Sequence, residues 1–138
     1  RDYQVFRVPD DPAWRRAWAT TEALLRAMRD ESRAGGAKFW IATLTAPPQV
    51  YPDKKVRETF KADLNVETLD YPDQRIAAFA KRGNIPIVAL VGLLRTHADA
   101  TGDYLHGFPN TRLGTGHWNE KGHQVAGEVL ARAVCAAL

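Results

Sequence analysis

Apolar residues along this chain fall into two patterns, stretches at helical spacing and short runs that are apolar throughout. Trp14, Trp18, Thr21, Leu25 and Met28 recur at steps of four and three, which predicts a helix with one face to bury and Leu24 widening it. Asp11 is its N-cap, Pro12 its first residue, and Gly35-Gly36 its left-handed stop. Arg15, Arg26, Arg29 and Asp30 make the opposite, solvated face. The preceding ten residues have no periodicity and read as a lead-in segment anchored from outside this chain.

Residues 39–44 and 85–90 are the two continuous apolar runs, as expected of strands buried on both faces of a parallel sheet. The first ends at Pro47-Pro48, which cannot continue a ladder, and in the second Pro86 is tolerable only near the strand entrance or at an edge. Between them, Asp53 caps a helix burying Val56 and Phe60 and stopped by Asn65, and Asp70 caps another burying Ile76, Phe79 and Ala80 and stopped at Gly83. Leu93, Leu94 and Ala98 mark a further helix. Asn119 caps the last, whose buried face is Val125, Ala126, Val129, Leu130, Ala133 and Val134. The order predicts a single α/β domain over residues 1–138, with two parallel strands and about five helices. Two strands offer too little sheet for that many helices and leave an edge unpaired, so further strands are expected from elsewhere.

Composition narrows the function classes. The chain has 138 residues, 45% apolar and 25% charged, an ordinary globular balance, and no run nears the roughly eighteen apolar residues of a membrane span. Its 19 basic and 16 acidic residues are interspersed without a basic stripe, which argues against a nucleic-acid partner. Cys135, the single cysteine, permits no internal disulfide and reads as core packing.

Candidate chemistry gathers late in the chain. Ser32, the only serine, lies amid charged residues in the last turn of the first helix, and Cys135 has no histidine beside it, so neither fits a nucleophile. His106, His117, His123 and Asp103 match no metal-ligand spacing, and His97 reads as a surface or satisfied structural histidine. The long loop 101–118 ends in Gly114-Thr115-Gly116-His117-Trp118-Asn119, a glycine-punctuated approach to a helix cap. Two readings of His117 stand on spacing alone: a general base, or a loop histidine beside a core-plugging Trp118.

The stretch Gly116-His117-Trp118-Asn119-Glu120-Lys121-Gly122-His123, continuing through Val125-Ala126-Gly127-Glu128, resembles the C-terminal catalytic block of the SGNH (GDSL-type) hydrolases. There a histidine precedes a helix cap and, five positions on, commonly a glycine, matching His117, Asn119 and Gly122. The helix, the proline-ended strand and the second strand are similar to the second half of that family's domain. The resemblance implies a three-layer α/β sandwich with a parallel sheet, flavodoxin-like in architecture and incomplete here. It implies a serine ester hydrolase of small-molecule or saccharide esters, with His117 as catalytic base, Trp118 walling the pocket or packing beneath it, and Asn119 holding the loop. No cofactor or metal is implied. The family's Gly-Asp-Ser and oxyanion-hole segments have no counterpart in residues 1–138, so they are expected on an N-terminal segment of the same protein, or a second copy completes the sheet. Thr115 and Gly114 stand where the family has an acid, leaving the Thr115 hydroxyl as a weak substitute. The alternative is a non-catalytic module of the same architecture that binds a saccharide or a protein.

Overall fold

The computed structural model describes residues 2–137. Asp11 accepts the backbone N–H groups of Ala13 and Trp14 and, with Pro12, starts α1 (Pro12–Ala34) at the predicted place. Two strands follow, β1 (Ile41–Thr43) and β2 (Ile87–Ala89), paired in parallel with Ile41 opposite Ile87 and Thr43 opposite Ala89. Between them lie α2 (Lys54–Leu64) and α3 (Tyr71–Arg82), and after them α4 (Leu90–Thr101) and α5 (Glu120–Cys135). Both strands are shorter than their apolar runs. Leu90 already belongs to α4, and Pro86 sits just ahead of β2, where its carbonyl accepts the Ile41 N–H at 3.0 Å although it has no donor to give.

Helices cover both faces of this small sheet. On one, Val88 packs with Leu90 and Leu94 of α4, Leu105 and Ala126 of α5. On the other, Ile41 packs with Phe79 and Ala80 of α3, and Leu25 of α1 closes against them. The architecture is a mixed α/β fold whose described residues form one two-stranded parallel sheet. No helix among them is long and apolar enough to cross a membrane.

Several expectations are corrected by tertiary contacts. β1 is not buried on both faces: Ile41 is buried but Ala42 is exposed, while Val88, paired with it on β2, lies in the α4–α5 core. On α1 only Trp18 is fully buried, while Thr21, Leu24 and Met28 are exposed. The packed seam runs instead along Trp18, Glu22, Leu25 and Arg29, since α3 brings Arg75 to Glu22 at 2.9 Å and the Arg29 guanidinium reaches the Gly83 carbonyl at 3.4 Å. On α2 the exposed Val56 yields the inner position to Arg57, whose guanidinium meets the Tyr51 carbonyl and, at 2.7 Å, Asp99. Asp70 does not cap α3, because its carboxylate is held by Arg95. The lead-in segment is anchored within the chain, as a 3-10 turn (Asp2–Phe6) whose Phe6 is buried and meets Phe60 edge-on. Leu93, Val134 and Cys135 are exposed, the last two because the end of α5 runs past the core.

Candidate active site

The chain leaves α4 through Gly102 and returns to α5 by a loop that folds back on itself. His106 and Trp118 form an antiparallel bridge, with Gly107 N–H donating to the His117 carbonyl at 2.9 Å and Gly114 N–H to the His106 carbonyl at 2.8 Å. Gly114 has φ 75°, and a Cβ there falls 2.3 Å from the Tyr51 ring, so a side chain is excluded by both conformation and space. Asn119 fastens the loop to α5: its Oδ1 accepts the Gly122 N–H at 2.9 Å, and its Nδ2 donates to the carbonyls of Tyr104 at 2.7 Å and Gly107 at 3.0 Å. Gly122 lets the first turn of α5 lie directly on the Leu105 backbone, where a Cβ falls 2.2 Å from the Leu105 oxygen.

A cleft of about 330 Å³ opens where β1 ends, lined by Leu44, Thr45, His106, His117, Trp118 and His123. Its floor is a hydrogen-bonded chain with one consistent proton arrangement. The Gly116 carbonyl only accepts, so the His106 Nδ1 at 2.9 Å carries a proton and the neutral ring presents Nε2 as an acceptor. Thr45 donates its hydroxyl to that Nε2 at 3.1 Å and accepts the Trp118 Nε1–H at 2.8 Å. Only 4% of His106 is exposed. Burial pushes its imidazole below the ordinary histidine range, the Gly116 hydrogen bond pulls the other way, and nearby His117 adds to the lowering.

His117 itself is exposed at the mouth of the cleft, and its imidazole makes no hydrogen bond to a described residue. Trp118 does two things, lining the cleft and packing on the α4–α5 core, while His123 rests edge-on against its ring at 5.6 Å between centroids. Thr115 is turned away, its hydroxyl donating to the Arg112 carbonyl at 2.7 Å. Among the described residues no three histidine, cysteine or acidic side chains converge as metal ligands. Asp103 instead pairs with His97 at 2.8 Å. Of the residues predicted for the site, the fold gathers His117 and Trp118 at the cleft, places Asn119 behind them, and leaves Thr115 in the outer loop. Sequence reasoning missed Thr45 and weighed His106 only as a metal ligand. The available signal was positional, a threonine just before the prolines that end β1 and a second histidine inside the long loop. No protein-family model, curated protein or solved structure matches this chain.

Proposed function

We propose that this chain is the C-terminal portion of an SGNH-like ester hydrolase, with His117 as general base and the serine nucleophile on a segment outside residues 1–138. What supports the reading best is the position of His117, exposed at a cleft beyond the C-terminal end of β1 on a loop fixed by hydrogen bonds on both sides. Open α/β sheets bind their ligands at that end. In this reading the two strands belong to a larger three-layer, flavodoxin-like sandwich.

The serine oxygen adds to the carbonyl carbon of a small-molecule or saccharide ester as His117 takes its proton, and the proton then passes to the departing alcohol. Water, deprotonated by the same imidazole, releases the acid and restores the serine. These are acyl and proton transfers, and the reading names no cofactor. Trp118 walls the acyl site, and the His106 hydrogen bond to the Gly116 carbonyl fixes the backbone immediately before His117. The test is fluorophosphonate labelling and nitrophenyl ester hydrolysis by the intact protein. His117→Ala is expected to lower hydrolysis by about 10²–10⁴-fold, the usual worth of a general base. An intact protein that takes no label, or is as active without the His117 imidazole, sinks the proposal.

One observation favours a second reading, a non-catalytic module binding a saccharide or protein. Neither Gly114 nor Thr115 is acidic, and the Thr115 hydroxyl is committed to Arg112, so neither orients the His117 ring. Saccharide or protein binding that survives His117→Ala, without hydrolysis, selects that reading.

A further inference from the structure

Two rows of residues run along α1, and the fold uses one of them. The inner row, Trp18, Glu22, Leu25 and Arg29, meets α3 and its C-terminal loop. The outer row, Ala17, Thr21, Leu24 and Met28, repeats at steps of four and three, and all four residues are exposed, Leu24 at 59% and Met28 at 55%. Single exposed apolar residues are ordinary, but a row at this spacing is the seam along which two helices pack. Thr21 adds no unmet polar group to it, because its hydroxyl donates to the Ala17 carbonyl at 3.0 Å. Thr20 and Ala27 beside the row are small enough for a second backbone to come close.

One end of the row is hollow and the other protrudes. A cavity of about 310 Å³ lies against Trp14, Ala17, Trp18 and Thr21, with Val5 and Ile76 behind it and no charged residue in its lining. Met28 stands about 16 Å along the helix from Ala17, and its flexible thioether chain suits an irregular apolar hole. The charges show the same polarity. Arg15, Arg29 and Arg33 reach the carbonyls of Asp10, Gly83 and Asn84, and Arg26 lies over the Phe79 ring. Exposed Arg16 and Glu31 pair with no described residue. Arg16 flanks the row near the start of α1, whereas Glu31 continues it in the last turn, where the helix's own dipole disfavours a carboxylate.

We propose that the outer face of α1 is a self-association surface, packing antiparallel against α1 of a second copy about a two-fold axis at the helix midpoint. An axis between Glu22 and Ala23, the middle of Pro12–Ala34, sets Met28 of each copy opposite Ala17 of the other, at the hollow, and Leu24 opposite Thr21. It also brings Glu31 to the first turn of the facing helix, where the dipole favours an anion and Arg16 lies about 3 Å further along the axis. Knob and hole, acid and base each occur twice, so the contact closes on itself. A parallel pair sets Glu31 against Glu31 and leaves both hollows unfilled. An extended strand, with side chains repeating every second residue, does not match a row at steps of four and three. Neither the edge of β1 nor the His117 cleft takes part in the seam, and the ester-hydrolase reading is not needed for it.

Sedimentation velocity of the intact protein is the test. One helix face is small for an interface, so a monomer–dimer equilibrium with a Kd of about 1–100 μM is expected. Met28→Glu, at a position exposed in the monomer, is expected to weaken the dimer about 100-fold or more, since each dimer then buries two charges. Leu93→Lys, on the exposed side of α4, is expected to leave it unchanged. Arg16→Glu and Glu31→Arg are each expected to weaken it about threefold or more, and the protein carrying both to regain the unsubstituted affinity. A monomer at about 1 mM, a dimer indifferent to Met28→Glu or equally weakened by Leu93→Lys, or a double exchange no tighter than either single one overturns the proposal. So does a monomer whose urea midpoint falls with Met28→Glu, because its own polypeptide then covers this face. Fluorophosphonate labelling reports on the hydrolase reading separately, so either can fail without the other.

Discussion

His106 sits between a carbonyl that can only accept and a hydroxyl already receiving the Trp118 N–H, and this fixes its neutral tautomer. Burial lowers its pKa in the folded chain, so below the ordinary value of 6.5 the unfolded chain binds the proton first. Its contribution to stability is fully present above 6.5 and is lost as pH falls from there toward the lowered folded value. Urea midpoints at pH 7.5 and 5.5 are expected to show a smaller acid-side loss in His106→Gln than in the unsubstituted chain; equal losses remove His106 as the cause. Thr45→Val keeps the shape and leaves the Trp118 N–H and His106 Nε2 without partners, at an expected cost of about 1–3 kcal/mol in urea unfolding. Neither residue's role was legible from its neighbours in sequence, because the two meet across 61 positions.

Elements were legible where their ends are local. Asp11, Asp53 and Asn119 cap as predicted because each accepts from an N–H two or three residues ahead. Asp70 failed as a cap because Arg95 reaches its carboxylate from α4. The amphipathic stripe of α1 misled by about one residue row, since Glu22 and Arg29 gained partners on α3 and its C-terminal loop that no spacing rule anticipates. The α5 entrance belongs to this scale. Asn119→Ala removes the cap and two loop hydrogen bonds, and is expected to cost about 1–2 kcal/mol in thermal or urea unfolding. Gly122→Ala drives a methyl into the Leu105 carbonyl and is expected to cost at least about 1–3 kcal/mol, displacing the loop that carries His117, which loop chemical shifts would report.

For the molecule as a whole, the governing feature is a parallel sheet of two short strands with one edge beside exposed Leu44. Open apolar edges template association, so the 138-residue chain by itself is expected to scatter light on concentration, and Leu44→Lys to reduce this by placing a charge on the edge. Undiminished scattering in that variant would point to another surface. The sequence by itself determined the order of helices and strands, most helix starts and the presentation of His117 before α5, because periodicity, caps and glycine breaks act over a few residues. Only the tertiary structure decided which stripe of α1 is buried, that Arg57 lies inside while Val56 and Cys135 do not, and that Thr45 and His106 floor the His117 cleft. Those outcomes depend on partners brought from distant segments, where burial and hydrogen bonding outweigh local spacing.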